Sequence, residues 1–211
     1  MKKADYTEYE AKFYPVDKEL YRKKLKSIGA VLLLSERKMI REVADTRVNS
    51  MIKPHSAIRI RDEGDSIRLS FKSSAHDAGI LSDQKEVDVK VSDFNKTKLI
   101  MEEAGVVFNR RQENLREEWA LNGTQITIDT WPGLDTYSEI EAESEKKVKE
   151  MADLLGFDWN KKIVMAASNL YAKVYGLSKE EALEKASFIT FENNPFKDLK
   201  KVWAPKTQQE G

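Results

Sequence analysis

The chain of 211 residues carries 36 lysines and arginines against 36 aspartates and glutamates, so its formal net charge is zero, and 40% of it is hydrophobic. A neutral total removes the field that draws a protein to nucleic acid or an anionic membrane, and the absence of cysteine excludes thiol catalysis, disulfides and cysteine-ligated zinc. No apolar run approaches the roughly 20 residues of a membrane span, and the expectation is a soluble cytoplasmic protein of one domain with an appended element.

The first element is the run Asp5-Tyr6-Thr7-Glu8-Tyr9-Glu10-Ala11-Lys12-Phe13. As a strand it places Tyr6, Glu8, Glu10 and Lys12 on one face and Thr7, Tyr9, Ala11 and Phe13 on the other. Glu8 and Glu10 are then side by side, and like charges that close need a proton or a cation; carboxylate oxygens suit a hard divalent metal such as Mg²⁺ or Mn²⁺. Pro15 and Asp17 open a predicted helix, Lys18 to Ser27, with Leu20, Leu25 and Ile28 at helical spacing and a stop at Gly29. Ala30 to Leu34 reads as a short buried strand. Glu86-Val87-Asp88-Val89-Lys90-Val91 echoes the first run, with two acids and a lysine on one face. Ser92 and Asp93 cap a second helix, Phe94 to Ala104, which ends at Gly105 before Val106-Val107-Phe108. The unit strand, helix, glycine, strand occurs twice.

Each copy continues in strands of period two. In Ala57-Ile58-Arg59-Ile60-Arg61 the isoleucines oppose the arginines, and after the Asp62–Asp65 turn Ile67, Leu69 and Phe71 oppose Arg68, Ser70 and Lys72. In the second copy Leu115, Glu117, Trp119 and Leu121 oppose Arg116, Glu118 and Ala120. After an Asn122-Gly123 turn, Ile126 and Ile128 oppose Gln125, Thr127 and Asp129, and Ser138 to Glu143 comes last. About eight strands thus have one charged and one apolar face. Apolar faces turned outward must be covered by the helices, and charged faces on every strand of an antiparallel set indicate a barrel with a narrow polar interior. Lys12, Arg59, Arg61, Lys72 and Arg116 form its basic set, and Glu8, Glu10, Asp129, Glu139 and Glu141 its acidic set. Arginine forks match phosphate oxygens and carboxylates hold divalent metals, the division of labour that phosphoryl transfer needs.

Glu8-Tyr9-Glu10-Ala11-Lys12 also resembles the ExExK signature of the CYTH superfamily, the triphosphate tunnel metalloenzymes. Ala57 to Arg61, Ser70-Phe71-Lys72, Glu86-Val87-Asp88, Arg116, Ile128-Asp129, Gly133-Leu134 and Tyr137 to Glu141 follow in that family's order. The resemblance implies an α+β fold: an eight-stranded antiparallel β-barrel with helices packed outside. The tunnel unit would span residues 1–156, with 157–211 a C-terminal helical extension packed on the barrel and ending in a loosely ordered tail. It implies metal ligation by Glu8, Glu10, Glu139 and Glu141 with Asp129 in or near the set, catalytic roles for Glu8, Glu10 and Lys12, and a phosphate path lined by Lys12, Arg59, Arg61, Lys72 and Arg116. Glu86 and Asp88 lie on a strand where the family usually has an arginine two residues earlier; here that residue is Gln84, with Lys90 or the outward-turned Lys85 as substitutes. The expected activity is metal-dependent hydrolysis of inorganic, thiamine or nucleoside triphosphate with Mg²⁺ or Mn²⁺; the alternatives are a class IV adenylyl cyclase and a noncatalytic polyphosphate or nucleotide binder. The expected partner is a small-molecule triphosphate, with neither nucleic acid nor membrane, and a homodimer stays open.

His55 and His76 read as exposed loop residues, Arg110 and Arg111 as surface residues, and Arg22, Lys23, Lys24 and Lys26 as a solvated helix face. Trp119 and Trp131 read as outer-wall residues, with Trp131, beside Pro132-Gly133, a candidate for contact near a tunnel mouth. Lys146 to Leu155, Ile163 to Tyr175 and a helix opened by the Ser178–Glu181 capping box through Ala186 are predicted next, and the tail from Asn193 is expected to be loose at its end.

Overall fold

In the computed structural model, which describes residues 6–45, 48–49, 55–74 and 80–207, the two sequence echoes become the two halves of one sheet. The first unit is β1 (Tyr9–Phe13), α1 (Lys18–Ser27), β2 (Val31–Asp45), β3 (Ser56–Asp62) and β4 (Ile67–Ser74). The second is β5 (Gln84–Val91), α2 (Phe94–Glu103), β6 (Arg110–Leu121), β7 (Thr124–Thr130) and β8 (Tyr137–Ala142). Their strands order as β1-β8-β7-β6-β2-β3-β4-β5, every neighbour antiparallel. Exchanging the two units maps this order onto itself. The path's two ends meet: Thr7 bridges Lys85, the Glu8 amide donates to the Gln84 carbonyl at 2.9 Å, and the Glu86 amide donates to the Tyr6 carbonyl at 3.1 Å. The charged faces are therefore enclosed and the apolar faces turned out, as strand periodicity requires.

The helix ends follow from local chemistry. The Asp17 carboxylate accepts from the Leu20 amide at 2.9 Å to cap α1, and the Asp93 carboxylate accepts from the Lys96 amide at 2.8 Å to cap α2. α3 (Glu145–Leu155) is capped by Ser144 and ends at Gly156, whose φ of 84° is the left-handed conformation that glycine adopts without strain. α1 and α3 cover the outside of β1 and β6–β8, where Ala11, Phe13, Trp119, Ile126, Ile128 and Ile140 pack with Tyr21, Leu25, Val148, Met151 and Leu155. A second core lies where α4 (Ala167–Tyr175) and α5 (Lys179–Lys185) meet Tyr14, Trp131 and Tyr137.

Several elements depart from the sequence reading. The short buried strand expected at Ala30–Leu34 is the start of the fifteen-residue β2, and Val31, Leu32 and Leu33 are exposed because that end pairs only with the last residues of β6, through register shifts. Leu20 faces solvent, and Tyr21 fills the core position instead. Val106 to Phe108 is not a strand; β6 begins at Arg110. Ile163 does not start a helix: its amide and carbonyl both pair with the backbone of Lys12 at 2.9 Å, satisfying a stretch of β1 that β5 does not reach, and α4 begins four residues later. Arg22 is more than a solvated charge, since it grips the buried carboxylate of Glu117 at 2.6 Å. In the C-terminal stretch a short strand, β9 (Phe188–Ile189), runs parallel to β6, Phe196 stacks on Tyr171 at 4.2 Å, and Trp203 stacks on Tyr14 at 5.4 Å. Packing thus extends well past Asn193. No helix among the described residues is long and apolar enough to cross a membrane.

Candidate active site

The inward faces enclose a cavity of about 400 Å³. Its wall is assembled in rows of partnered residues, because positions directly opposite on antiparallel strands point to the same side. In one half Gln112, Arg41, Arg61 and Arg68 are successive partners from β6 to β4, and two residues along the strands Arg110, Val43, Arg59, Ser70 and Asp88 form the next row. Lys72 faces Glu86 beyond them. In the other half Arg116, Asp129 and Tyr137 form one row, Glu118, Thr127, Glu139 and Lys12 a second, and Gln125, Glu141 and Glu10 a third.

The acidic end centres on Glu8, Glu10 and Glu141, which offer one oxygen each within 4.8 Å of one another. Burial pushes the Glu8 carboxyl up to about 8, with Glu10, Glu86 and Glu141 adding to the shift and Lys72 opposing it. Burial and the nearby Glu10 push Glu141 up to about 7. Three clustered carboxylates, two of them, Glu8 and Glu141, held back from ionising, fit a divalent cation, which would neutralise them and complete their oxygen coordination. Lys12 lies between Glu10 and Glu139, the latter at 3.1 Å; burial works against its charge, but the two carboxylates hold its ammonium above the ordinary lysine range. Lys72 pairs with Glu8 at 3.1 Å and Glu86 at 2.6 Å.

The basic wall is paired to acids almost throughout. Arg59 reaches Glu86 at 2.7 Å, Arg61 Nε donates to Glu63 at 2.6 Å, Arg110 pairs with Asp45 at 2.9 Å, and Arg68 pairs with Glu63 and Asp88. Arg116 donates to Asp129 at 2.9 Å and also grips Glu139. Arg41 differs. Among the described residues it has no carboxylate partner; it contacts the Asn114 side-chain oxygen, its buried Nε has no acceptor, and its guanidinium lies 4.6 Å over the Trp131 ring. Burial, then Arg61, Arg59 and Arg116, press its pKa well below the usual arginine range. Arg61 is lowered to about 10 by burial and by Arg59 and Arg116. Converging cations that oppose one another's charge create a place for an anion.

Of the residues singled out from sequence, Glu8, Glu10, Lys12, Arg59, Arg61, Lys72, Glu86, Asp88, Arg116, Glu139 and Glu141 all line this cavity. Glu139 is engaged by Lys12 and Arg116, which draw its carboxyl below the ordinary range against the effect of burial. Asp129 stands apart from the acidic cluster: it is fully buried and accepts from Asn114 at 2.6 Å, Thr127 at 2.7 Å and Arg116 at 2.9 Å, an arrangement that aims Arg116. Lys90 is exposed and outside the cavity lining, opposite Arg68, where a further cation would be repelled. Lys85 is outward beside Thr7, and Gln84 donates to the Glu10 carbonyl at 3.1 Å. Trp119 is in the outer core, whereas Trp131 lines the cavity, in line with its candidacy for tunnel contact and against its outer-wall reading, and Arg110 lines it against its surface reading; Arg111 is exposed and pairs with Glu42. His55 is an exposed turn residue, and His76 lies outside the described residues. Arg41, Arg68 and Asn114 were missed as site residues; the signal for Arg41 was its place on a strand long enough to span the sheet between Leu34 and Ala57.

The family model described as CYTH domain matches residues 7–164. Among curated proteins no match to the sequence was found. Among solved structures, a protein of Vibrio parahaemolyticus provisionally named adenylate cyclase superposes with a TM-score of 0.69 at 11% identity, over 79% of this chain and 98% of that one. A conserved hypothetical protein of Pyrococcus furiosus gives 0.62 at 19% identity, over 75% and 96%. A Hippeastrum protein, provisionally an adenylyl cyclase and described as having a dominant triphosphatase activity, gives 0.53 at 18% identity, over 81% and 97%.

Proposed function

The chain belongs to the CYTH domain family, and on that premise we propose that it is a divalent-metal-dependent hydrolase of triphosphates, with inorganic, thiamine or nucleoside triphosphate as the substrate class. The observation that carries this reading is Arg41, a buried cation with no acid partner among the described residues, facing Arg59, Arg61 and Arg116 in the cavity that also holds Glu8, Glu10 and Glu141. A triphosphate supplies the missing anion. Arg41, Arg59, Arg61 and Arg116 bind and orient its oxygens by forked hydrogen bonds, and Lys72 adds compact charge next to the acids. Glu8, Glu10 and Glu141 are the residues that would hold Mg²⁺ or Mn²⁺, with Glu139 at their margin. Such an ion, when bound, neutralises phosphoryl charge and lowers the pKa of water. Lys12, fixed between Glu10 and Glu139, holds those carboxylates in place. Asp129, Thr127 and Asn114 hold Arg116 at its angle. Hydrolysis needs little more than this from a protein, because positioning and charge stabilisation carry most of phosphoryl transfer.

The test is one panel: purified protein with Mg²⁺ or Mn²⁺, given tripolyphosphate, thiamine triphosphate and ATP separately, with phosphate, pyrophosphate and cyclic AMP scored. Phosphate without cyclic AMP supports the hydrolase and ranks its substrates. Cyclic AMP with stoichiometric pyrophosphate makes the chain a cyclase, and binding without turnover makes it a binder.

A further inference from the structure

The internal repeat puts two sheet faces in corresponding places, and among the described residues the chain covers only one of them. Aligning Glu8–Phe13 with Glu86–Val91 sets Ala11 against Val89 and Phe13 against Val91. Ala11 is fully buried under α1 and α3, whereas Val89 is 52% exposed. Along the cross-strand row Ile60, Leu69 and Val89, cover is lost strand by strand: Ile60, on the strand that α2 packs against, is fully buried, Leu69 is half-buried and Val89 lies open. The first face owes its cover to α3, which follows β8. Between β4 and β5 no helix longer than a single turn occurs among the described residues.

The outer side of α2 is open as well. Phe94, Thr97 and Met101 turn toward the sheet, so Lys96, Leu99, Ile100 and Glu103 turn away from it, and Leu99 and Ile100 are 55% and 68% exposed. Leu99, Ile100, Val87 and Val89 together expose apolar surface on the order of 400 Å², enough for the centre of an interface of about 800 Å² per partner. The charges at the ends of this stripe are self-complementary. Lys96 stands at the positive end of the helix and Glu103 at the negative end, an order that the helix dipole disfavours. Two such helices set antiparallel about a two-fold axis bring Lys96 of each to Glu103 of the other, and each Glu103 to a helix N-terminus. The order that works against one helix then favours the pair.

We propose that this face is an isologous homodimer interface, with α2 packed antiparallel on α2 of a second copy around Leu99 and Ile100, and Val87 and Val89 of β5 at its flank. Sedimentation velocity across a concentration series tests it, with wild type, Ile100→Glu, Lys96→Glu, Glu103→Lys and the Lys96→Glu/Glu103→Lys double variant. All these side chains face solvent in the monomer, and circular dichroism with a thermal melt confirms that each variant folds. Wild type is expected to be a dimer, Ile100→Glu a monomer, each single charge reversal at least about tenfold weaker in dimerisation, and the double reversal restored to near wild type. A wild type that stays monomeric up to about 100 μM, far above a micromolar Kd, overturns the proposal. So does a dimer indifferent to Ile100→Glu, or a double reversal as weak as the singles.

Discussion

Metal binding at the acidic cluster should release protons near neutral pH, by an amount the geometry sets. Glu8 is pushed up to about 8, by burial first and then by Glu10, Glu86 and Glu141, and Glu141 to about 7 by burial and Glu10. At pH 7 Glu8 is mostly protonated and Glu141 partly so, and a divalent ion that requires both ionised displaces about one proton or more. Between pH 6 and pH 8 its apparent affinity should rise by more than about tenfold as both carboxyls give up their protons. Carboxylates at their ordinary value of 4.5 would release almost none and leave the affinity flat over that range. Titration calorimetry of Mn²⁺ into metal-free protein, in two buffers of different ionisation enthalpy, counts the protons directly. A heat independent of buffer, with an affinity unchanged from pH 6 to pH 8, would refute the clustering of Glu8 and Glu141 as metal ligands. The same shifts fix the sign for stability. A carboxyl raised in the folded state contributes stability that is complete below its unfolded pKa and lost as pH rises through its folded one, so the metal-free protein should melt progressively lower from about pH 5 to pH 8. Added Mg²⁺ should offset that loss at the alkaline end.

Glu10→Gln and Glu141→Gln, made separately, should abolish metal-dependent turnover while circular dichroism shows a folded protein; near-normal activity in either removes that residue from the ligand set. Arg41→Ala should weaken triphosphate binding by about 2 to 3 kcal/mol, some 30- to 150-fold, while the metal-free protein melts no lower because mutual repulsion with Arg59, Arg61 and Arg116 is relieved. Calorimetric binding and a thermal melt separate those two effects, and a large drop in melting temperature would mean that Arg41 is structural. Phe196→Ala should cost about 3 to 5 kcal/mol in urea unfolding, because Phe196 is buried and stacked between Tyr171 and Tyr175; a cost under about 1 kcal/mol would mean that the C-terminal stretch is not part of the core.

The parts of the molecule that were readable in sequence are those where one periodicity and one face acted together. Glu8, Glu10 and Lys12, the Arg59/Arg61 pair against Ile58/Ile60, and Glu139/Glu141 against Ile140 alternate cleanly because one face meets water or ligand and the other meets a helix. β2 was hidden because both its faces are mixed: Met39 and Val43 share a side with Arg41, and Ile40 and Ala44 share the other with Glu42, so no period of two stands out. Arg41 was lost with it. Lys90 was overread for the opposite reason, since its motif matches that of Lys12 but its partner strand presents Arg68 where that of Lys12 presents Glu139. Asp129 alternates like a ligand, yet three donors already occupy its oxygens, and no pattern in a single strand reports which partners a neighbouring strand brings. Ile163 reads as helical because the spacing from Val164 to Val174 is helical; the unsatisfied backbone of Lys12, distant in sequence, decides otherwise.

The most direct measurement is a phosphorus NMR time course of tripolyphosphate with the purified protein, run with Mg²⁺ and again with excess EDTA. The expected result is conversion to orthophosphate and pyrophosphate with the metal, and no change without it. An unaltered triphosphate spectrum in both, with the protein folded and the ion bound, would contradict a metal-dependent triphosphatase, and equal hydrolysis in both would contradict the role given to Glu8, Glu10 and Glu141.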